Sequence, residues 1–99
     1  MDSALSVDGV PIRLPPERWF HIAENHDDLA GHYDDVLQAI EDPDLVVSGH
    51  GGSLMAVRSS GHNRYLVVIY RQVSRDDGFV ITAYFTATVS RKRALWRRR

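Results

Sequence analysis

The sequence predicts a single α+β domain in which two N-terminal helices pack on one face of a four-stranded antiparallel sheet. A chain of 99 residues has room for one hydrophobic core. In the first half apolar residues recur at helical spacing, and from about residue 44 onward they follow the period of two that is typical of strands. We expect residues 1–9 to form a flexible leader, residues 10–96 to form the domain, and residues 97–99 to end a basic tail.

Two helices are predicted ahead of the four strands. The first spans residues 16–25 and starts at two consecutive prolines, which suit a first turn because they lack the N–H group that this turn leaves unsatisfied. The second spans residues 33–41, where apolar side chains recur three and four positions apart on one face. One helix-on-sheet core is expected to bury Trp19, Ile22, Val36, Leu37 and Ile40 from the helices, with Val68, Ile81 and Phe85 from the strands.

The strands are predicted from alternating apolar and polar residues between turn signals. A short extended segment over residues 10–14 precedes the helices. The Asp77-Gly78 pair between two β-rich segments predicts a hairpin, because these residues tolerate the positive φ that such turns need. The last two strands are therefore expected to be antiparallel neighbours. The predicted strands cover residues 45–48, 53–58, 64–73 and 79–88.

The last predicted strand carries two different faces. If helices cover only one side of the sheet, its hydroxyl-bearing face is open to a ligand. Arg71 shares that face if the preceding hairpin loop has an even number of residues, opposite Thr82 or Tyr84. Threonines also favour exposed strand faces without any functional reason. The expected core-facing set is Phe79, Ile81, Ala83, Phe85 and Ala87, and the opposite set is Val80, Thr82, Tyr84, Thr86 and Thr88.

The charge of the chain is divided between its halves. The formal net charge is −1, but residues 1–50 hold 11 acidic and two basic residues, whereas residues 51–99 hold two acidic and ten basic ones. This division favours either a basic face for phosphates or two halves that attract each other within the fold. There is no cysteine, which excludes disulfides, thiolate nucleophiles and thiolate zinc sites. With no long apolar segment and no signal pattern, we expect no membrane partner and a cytoplasmic location.

Two of the five histidines lie near the end of the first predicted helix. His21 and His26 are five residues apart, unlike the spacing of four in metalloprotease helices, so we expect neither a metal nor a cofactor. Histidine, arginine and hydroxyl groups together can support metal-free RNA cleavage. That reaction needs a group that removes the ribose 2′ proton, a group that protonates the leaving oxygen, and cations that stabilise the phosphorane.

Five short motifs carry a resemblance that spans about residues 12–96. They are ERWFHI from Glu17, His26-Asp27, Pro43-Asp44, YLVV from Tyr65 and ITAY from Ile81. In this order they resemble the barnase, EndoU, colicin and RelE superfamily of nucleases, particularly its phage-associated and prokaryotic toxin branches. The resemblance implies a metal-independent endoribonuclease that acts on tRNA or mRNA, as the toxin of a toxin–antitoxin pair or a phage-derived effector.

The same resemblance implies a set of site residues and partners. Members of the superfamily combine a histidine of the first helix, a basic residue of a middle strand and a threonine or serine of a late strand. The partners implied are RNA and a cognate antitoxin or immunity protein. The matching positions are His21 or His26, Arg58 or Arg71, and Thr82 with Thr86, and Tyr84 lies on the same predicted face.

Two other classes of function stay open. A noncatalytic module of the same fold would hold RNA, DNA or an acidic protein on its sheet face and basic tail without cleavage. Alternatively, the hydroxyl face forms the interface of a homodimer. The tail residues expected to bind nucleic acid are Arg91, Lys92, Arg93, Arg97 and Arg98.

Overall fold

The computed structural model describes residues 2–99 and is organised around one sheet. Two α-helices, α1 (Pro16–Asn25) and α2 (Tyr33–Glu41), connect its second and third strands. Both helices have the bounds predicted from the sequence. Neither one, nor any other helix within residues 2–99, is long and apolar enough to cross a membrane. The strands are β1 (Asp2–Leu5), β2 (Pro11–Leu14), β3 (Leu45–Ser48), β4 (Leu54–Ser59), β5 (Tyr65–Ser74), β6 (Asp77–Thr86) and β7 (Ala94–Arg97).

The sheet corrects the predicted architecture. It has seven strands in the order β1-β2-β6-β5-β4-β3-β7, so the expectation of four strands is wrong. It is also mixed rather than antiparallel, because β2 pairs in parallel with β6. Two strands precede the helices, so the helices do not open the fold. The α+β class is retained, since helices and sheet form separate layers.

The added strands lie in segments that the sequence marks only weakly. Residues 2–5, assigned to a leader, form the edge strand β1, in which Ala4 alone is buried. At the opposite edge β7 pairs with β3 and includes Arg97, which was assigned to the tail. A strand of four residues with at most one buried side chain has no recognisable period. Its pairing is decided by the neighbour that covers its backbone groups.

The helices cover one face of the sheet and form the main core with it. Ile22 and Leu29 come from the first helical region, and Val36, Ala39 and Ile40 come from α2. Of the eight predicted core residues, four are buried and four are partly buried, and none is exposed. The buried four are Ile22, Val36, Ile40 and Val68, and the partly buried four are Trp19, Leu37, Ile81 and Phe85.

A β-bulge changes the predicted alternation of β6. Ile81 is an extra residue between the cross-strand pairs Tyr70–Val80 and Ile69–Thr82. Beyond a bulge the side chains switch faces, because the period of two is interrupted. Val80 is therefore fully buried in the helix-side core, although the unbroken pattern predicts that it faces away.

The hairpin between β5 and β6 turns two residues earlier than predicted. Ser74 pairs with Asp77, so the loop is Arg75-Asp76. Gly78 lies within β6 instead, where β2 approaches β6. A Cβ atom at Gly78 would lie 2.5 Å from Cδ1 of Ile12 and 2.6 Å from the carbonyl oxygen of Arg71. Glycine at this position thus permits the three strands to approach one another.

Candidate functional site

The sheet face opposite the helices carries a second apolar cluster and a groove. Leu45, Val47, Val57 and Val67 are buried on this face, which we call the open face. No helix covers it within residues 2–99. Val89, from the segment between β6 and β7, packs against the cluster instead. This segment makes one wall of the groove.

The groove combines an apolar floor with a polar and cationic margin. It encloses about 500 Å³. Its floor is formed by Met55, Val57 and Val67, three residues of neighbouring strands. The margin consists of the hydroxyl groups of Tyr84, Thr86, Thr88 and Ser90 together with Lys92 and Arg93.

The basic residues of the C-terminal segment have two different environments. Lys92 and Arg93 are exposed, line the groove and make no ion pair within residues 2–99. Arg98 instead forms ion pairs with Asp42 at 2.7 Å and with Asp44 at 3.2 Å. Of the predicted nucleic-acid-binding residues, Lys92 and Arg93 are therefore the two that reach the groove. Arg91 is exposed beside them, and Arg97 lies on the edge strand.

Arg58, predicted as a catalytic candidate, binds the end of α2. Its guanidinium donates to the main-chain carbonyl of Asp42 and pairs with the Asp42 carboxylate at 3.0 Å. Hydrogen bonds from Arg58 and then from Arg98 hold the pKa of Asp42 below its ordinary value. The acidic and basic halves of the chain thus attract each other within the fold at this point.

Four of the predicted catalytic residues share the open face. Thr82, Tyr84 and Thr86 pair with three residues of β5 that alternate along this face, and Arg71 is the next in that alternation. Arg71 thus lies on the predicted face, but the predicted partner is wrong, since Arg71 pairs with Phe79 and not with Thr82 or Tyr84. The two-residue loop is not the only cause, because register irregularities at Val73 and Ile81 offset each other. The guanidinium of Arg71 donates to the carbonyl of Gly51.

The two histidines of α1 lie on the other side of the sheet. His21 is exposed and lines a shallow depression with Pro15, Glu17 and Arg18. His26 follows the last residue of α1, where its N–H donates to the carbonyl of Ile22 at 3.0 Å. The sheet therefore separates both histidines from the hydroxyl groups with which they were expected to act.

Comparisons with protein families, curated proteins and solved structures find no match to this chain. Function is therefore inferred from the groove itself, and the nuclease resemblance stays a prediction.

The apolar floor of the groove was missed by the sequence analysis. Its signal is the continuous apolar character of β3 and of the middle of β5, since strands that are apolar at successive positions are buried on both faces. Val67 and Val68 are neighbours, and both are fully buried, on opposite faces of the sheet. This pattern indicates that the open face is covered in part rather than fully solvated.

Proposed function

We propose that the chain binds single-stranded RNA in the groove of the open face. The observation that carries the proposal is that one groove has an apolar floor, the aromatic ring of Tyr84 and two cationic side chains, Lys92 and Arg93. Neither cation forms an ion pair within residues 2–99. Unpaired bases stack on apolar and aromatic side chains, while cations neutralise the phosphates that connect them. RNA offers both kinds of contact in a single ligand.

The dimensions of the groove favour unpaired nucleotides. Its volume of about 500 Å³ lies within the range of about 300–1,000 Å³ that is common for small-ligand sites. This space accommodates one or two bases against Met55, Val67 and Tyr84. The hydroxyl group of Thr88 lies at the margin, where a ribose 2′-OH can donate to it or accept from it. The hydroxyl group of Thr86 donates to the carbonyl of Thr88 and can accept a hydrogen bond from the ribose.

Fluorescence anisotropy with a labelled single-stranded RNA tests this proposal. We expect the double variant Lys92→Gln/Arg93→Gln to weaken binding by about tenfold, and to reduce the slope of log K against log salt by about 1.4. Arg75→Gln, a change of one exposed arginine in the β5–β6 loop, is the matched control and leaves both quantities close to wild type. Equal affinity and slope in wild type and double variant would remove the groove from RNA binding.

A second variant separates stacking from charge. Replacing Tyr84 with Leu keeps the groove apolar but removes its aromatic ring, and stacking on one aromatic ring is worth about 1–3 kcal/mol per base. We expect weaker binding with an unchanged salt slope. If the groove binds an acidic protein or a second copy of the chain instead, RNA does not bind. In the case of a second copy, light scattering detects a dimer.

RNA cleavage is the second candidate function, and the shared position of Arg71, Thr82, Tyr84 and Thr86 on the open face favours it. Of these, Tyr84 and Thr86 line the groove and would hold a phosphate while the ribose 2′-OH attacks it, without a metal ion. Arg71 lies six residues along β5 from the partner of Thr86, roughly 20 Å away, and would contact the RNA at a different nucleotide. Incubation of the purified protein with RNA in EDTA would then leave 2′,3′-cyclic phosphate ends. A toxin of this kind arrests growth when it is expressed, and a cognate antitoxin or immunity protein relieves the arrest.

A further inference from the structure

One wall of the groove depends on β7 for its position. Residues 88–93 supply this wall and connect β6 to β7, and Lys92 and Arg93 directly precede the strand. The N–H group of Ser48 on β3 donates to the carbonyl of Arg93 at 3.1 Å. A displacement of β7 from β3 would therefore move both cations away from the apolar floor.

Apolar packing attaches β7 to the sheet only weakly. The strand has four residues, of which Ala94 is partly buried and the other three are exposed. Its pairing with β3 is interrupted between Val46 and Val47, and Leu95 at that point is 65% exposed. Ordering a strand costs conformational entropy that burial has to offset, and β7 buries little apolar surface. Polar contacts must therefore hold this edge strand in place.

Arg98 supplies polar contacts directly after β7. Its Nη2 lies 2.7 Å from Oδ1 of Asp42 and donates to the Asp42 carbonyl at 2.9 Å. Its Nε donates to Oδ1 of Asp44 at 3.2 Å, and its main-chain N–H donates to the Asp44 carbonyl at 2.9 Å. Hydrogen bonds between ionised groups are shorter and stronger than neutral ones. We call Arg98 together with Asp42 and Asp44 the latch.

The charge of Arg98 is already compensated within the fold. Two carboxylates contact its guanidinium, whereas Lys92 and Arg93 form no ion pair within residues 2–99. A phosphate beside Arg98 would also meet the negative charges of Asp42 and Asp44. Arg98 was expected to bind nucleic acid directly, and these contacts favour an indirect role instead.

We propose that the latch controls the RNA affinity of the groove by docking β7 on β3, which positions Lys92 and Arg93 beside the apolar floor. The inference rests on the proposed binding of RNA in the groove. Arg98, Asp42 and Asp44 are positioning residues that do not touch RNA. Their side chains are 38–43% exposed, and ion pairs at such positions are individually weak, so the latch opens without unfolding of the core.

Docking of β7 and binding of RNA are then linked equilibria. The apparent Kd equals the intrinsic Kd divided by the fraction of molecules in which β7 is docked. RNA that contacts the docked wall in turn favours docking, because coupling between two equilibria is reciprocal. The latch therefore affects two measurable quantities, the RNA affinity and the stability of the pairing between β7 and β3.

RNA affinity is measured by fluorescence anisotropy on two variants whose charge changes are opposite. Arg98→Gln removes a positive charge and Asp44→Ala removes a negative one, so direct electrostatic effects on RNA would have opposite signs. The latch predicts that both variants weaken binding, by about threefold if docking falls to about one third of the molecules. The salt slope should stay close to wild type, because loss of a direct phosphate contact would reduce it by about 0.7. Arg98→Lys, which can still pair with one carboxylate, should restore part of the affinity.

Hydrogen exchange of the Ser48 amide, followed by NMR without RNA, reports docking directly, since this amide donates to the carbonyl of Arg93. Both variants should exchange it at least about threefold faster than wild type, and added RNA should slow that exchange. Arg13→Gln is the matched control. It breaks an ion pair of 2.8 Å with Asp77 and similar exposure, on strands far from β7, and should change neither quantity. Thermal unfolding shows whether each variant is folded.

The outcomes separate this inference from the function on which it rests. Weaker RNA binding in both variants together with faster exchange at Ser48 supports the latch. Opposite shifts in affinity, or unchanged exchange at Ser48 in folded Arg98→Gln and Asp44→Ala, would overturn the latch and leave RNA binding in the groove standing. An equal loss of affinity in Arg13→Gln would also overturn it, because general destabilisation would then be the cause. Absence of RNA binding by wild type overturns both proposals.

Discussion

Replacing Tyr70 with phenylalanine is expected to stabilise the protein. Tyr70 is 0% exposed within the helix-side core, and its hydroxyl group has no hydrogen-bond partner in the described residues. A buried polar group left without a partner costs about 1–3 kcal/mol. Removing the oxygen forfeits a few van der Waals contacts of about 0.1–0.2 kcal/mol each. The free energy of unfolding of Tyr70→Phe should therefore exceed that of wild type by about 1–2 kcal/mol near neutral pH.

The same substitution should alter stability at alkaline pH. Burial, and to a smaller extent the charge of Asp8, raise the pKa of Tyr70 from 10.0 to about 12. The unfolded chain then releases the phenolic proton before the folded one does. The free energy of unfolding of wild type is therefore unaffected by this group below pH 10 and falls as the pH rises from 10 to about 12, so the advantage of Tyr70→Phe grows over this interval. Over this interval wild type loses about 2–3 kcal/mol that Tyr70→Phe does not lose.

Urea unfolding followed by circular dichroism, near neutral pH and again above pH 10, measures both effects. Burial and a hydrogen bond to Asp2 also raise the pKa of Tyr33 to about 12. Tyr33 is present in both proteins, so the difference in stability between them reports Tyr70 alone. Tyr65→Phe, a change at a half-buried position on the open face, is the matched control and should shift stability by less than about 0.5 kcal/mol. A Tyr70→Phe protein that unfolds at lower urea than wild type, with an unchanged m-value, would refute the reasoning.

Three further substitutions test the packing and the charge pairs by thermal unfolding. Gly78→Ala places a Cβ atom 2.6 Å from a carbonyl oxygen of the neighbouring strand and should destabilise by about 2–3 kcal/mol, so wild-type stability would contradict the close approach. Asp42→Asn removes a carboxyl group whose pKa is held below 3.8 by Arg58 and Arg98. The stability that this carboxylate contributes is present above that pH and is lost as the pH falls through the folded pKa. The melting temperature of the variant should therefore fall less steeply in acid than that of wild type. Phe85→Ala, at a partly buried position, should cost about 3 kcal/mol, and a melting point close to wild type would argue against its packing on the core.

Local patterns in the sequence were sufficient for the elements that have a period. Both α-helices begin and end where proline and apolar spacing predict, and four strands fall close to their predicted spans. In these segments the apolar pattern depends on residues only a few positions apart in the sequence, so local information is sufficient. The face on which Arg71 lies was left open by the sequence, because it depends on the length of the β5–β6 loop and on two register irregularities that offset each other.

Only the tertiary structure decided what the open face and the ends of the sheet contain. β1 and β7 are strands because neighbouring strands satisfy their backbone groups, and the bulge at Ile81 follows from the register with β5. Arg58 has the residue type of a catalytic group, yet the distant Asp42 commits it to the end of α2. His32 and Arg64 meet on Phe85 although long segments separate them in sequence. The sequence shows which residues are charged or aromatic. The distances between them depend on contacts between segments far apart in the chain, and these contacts form only when the strands pair into the sheet.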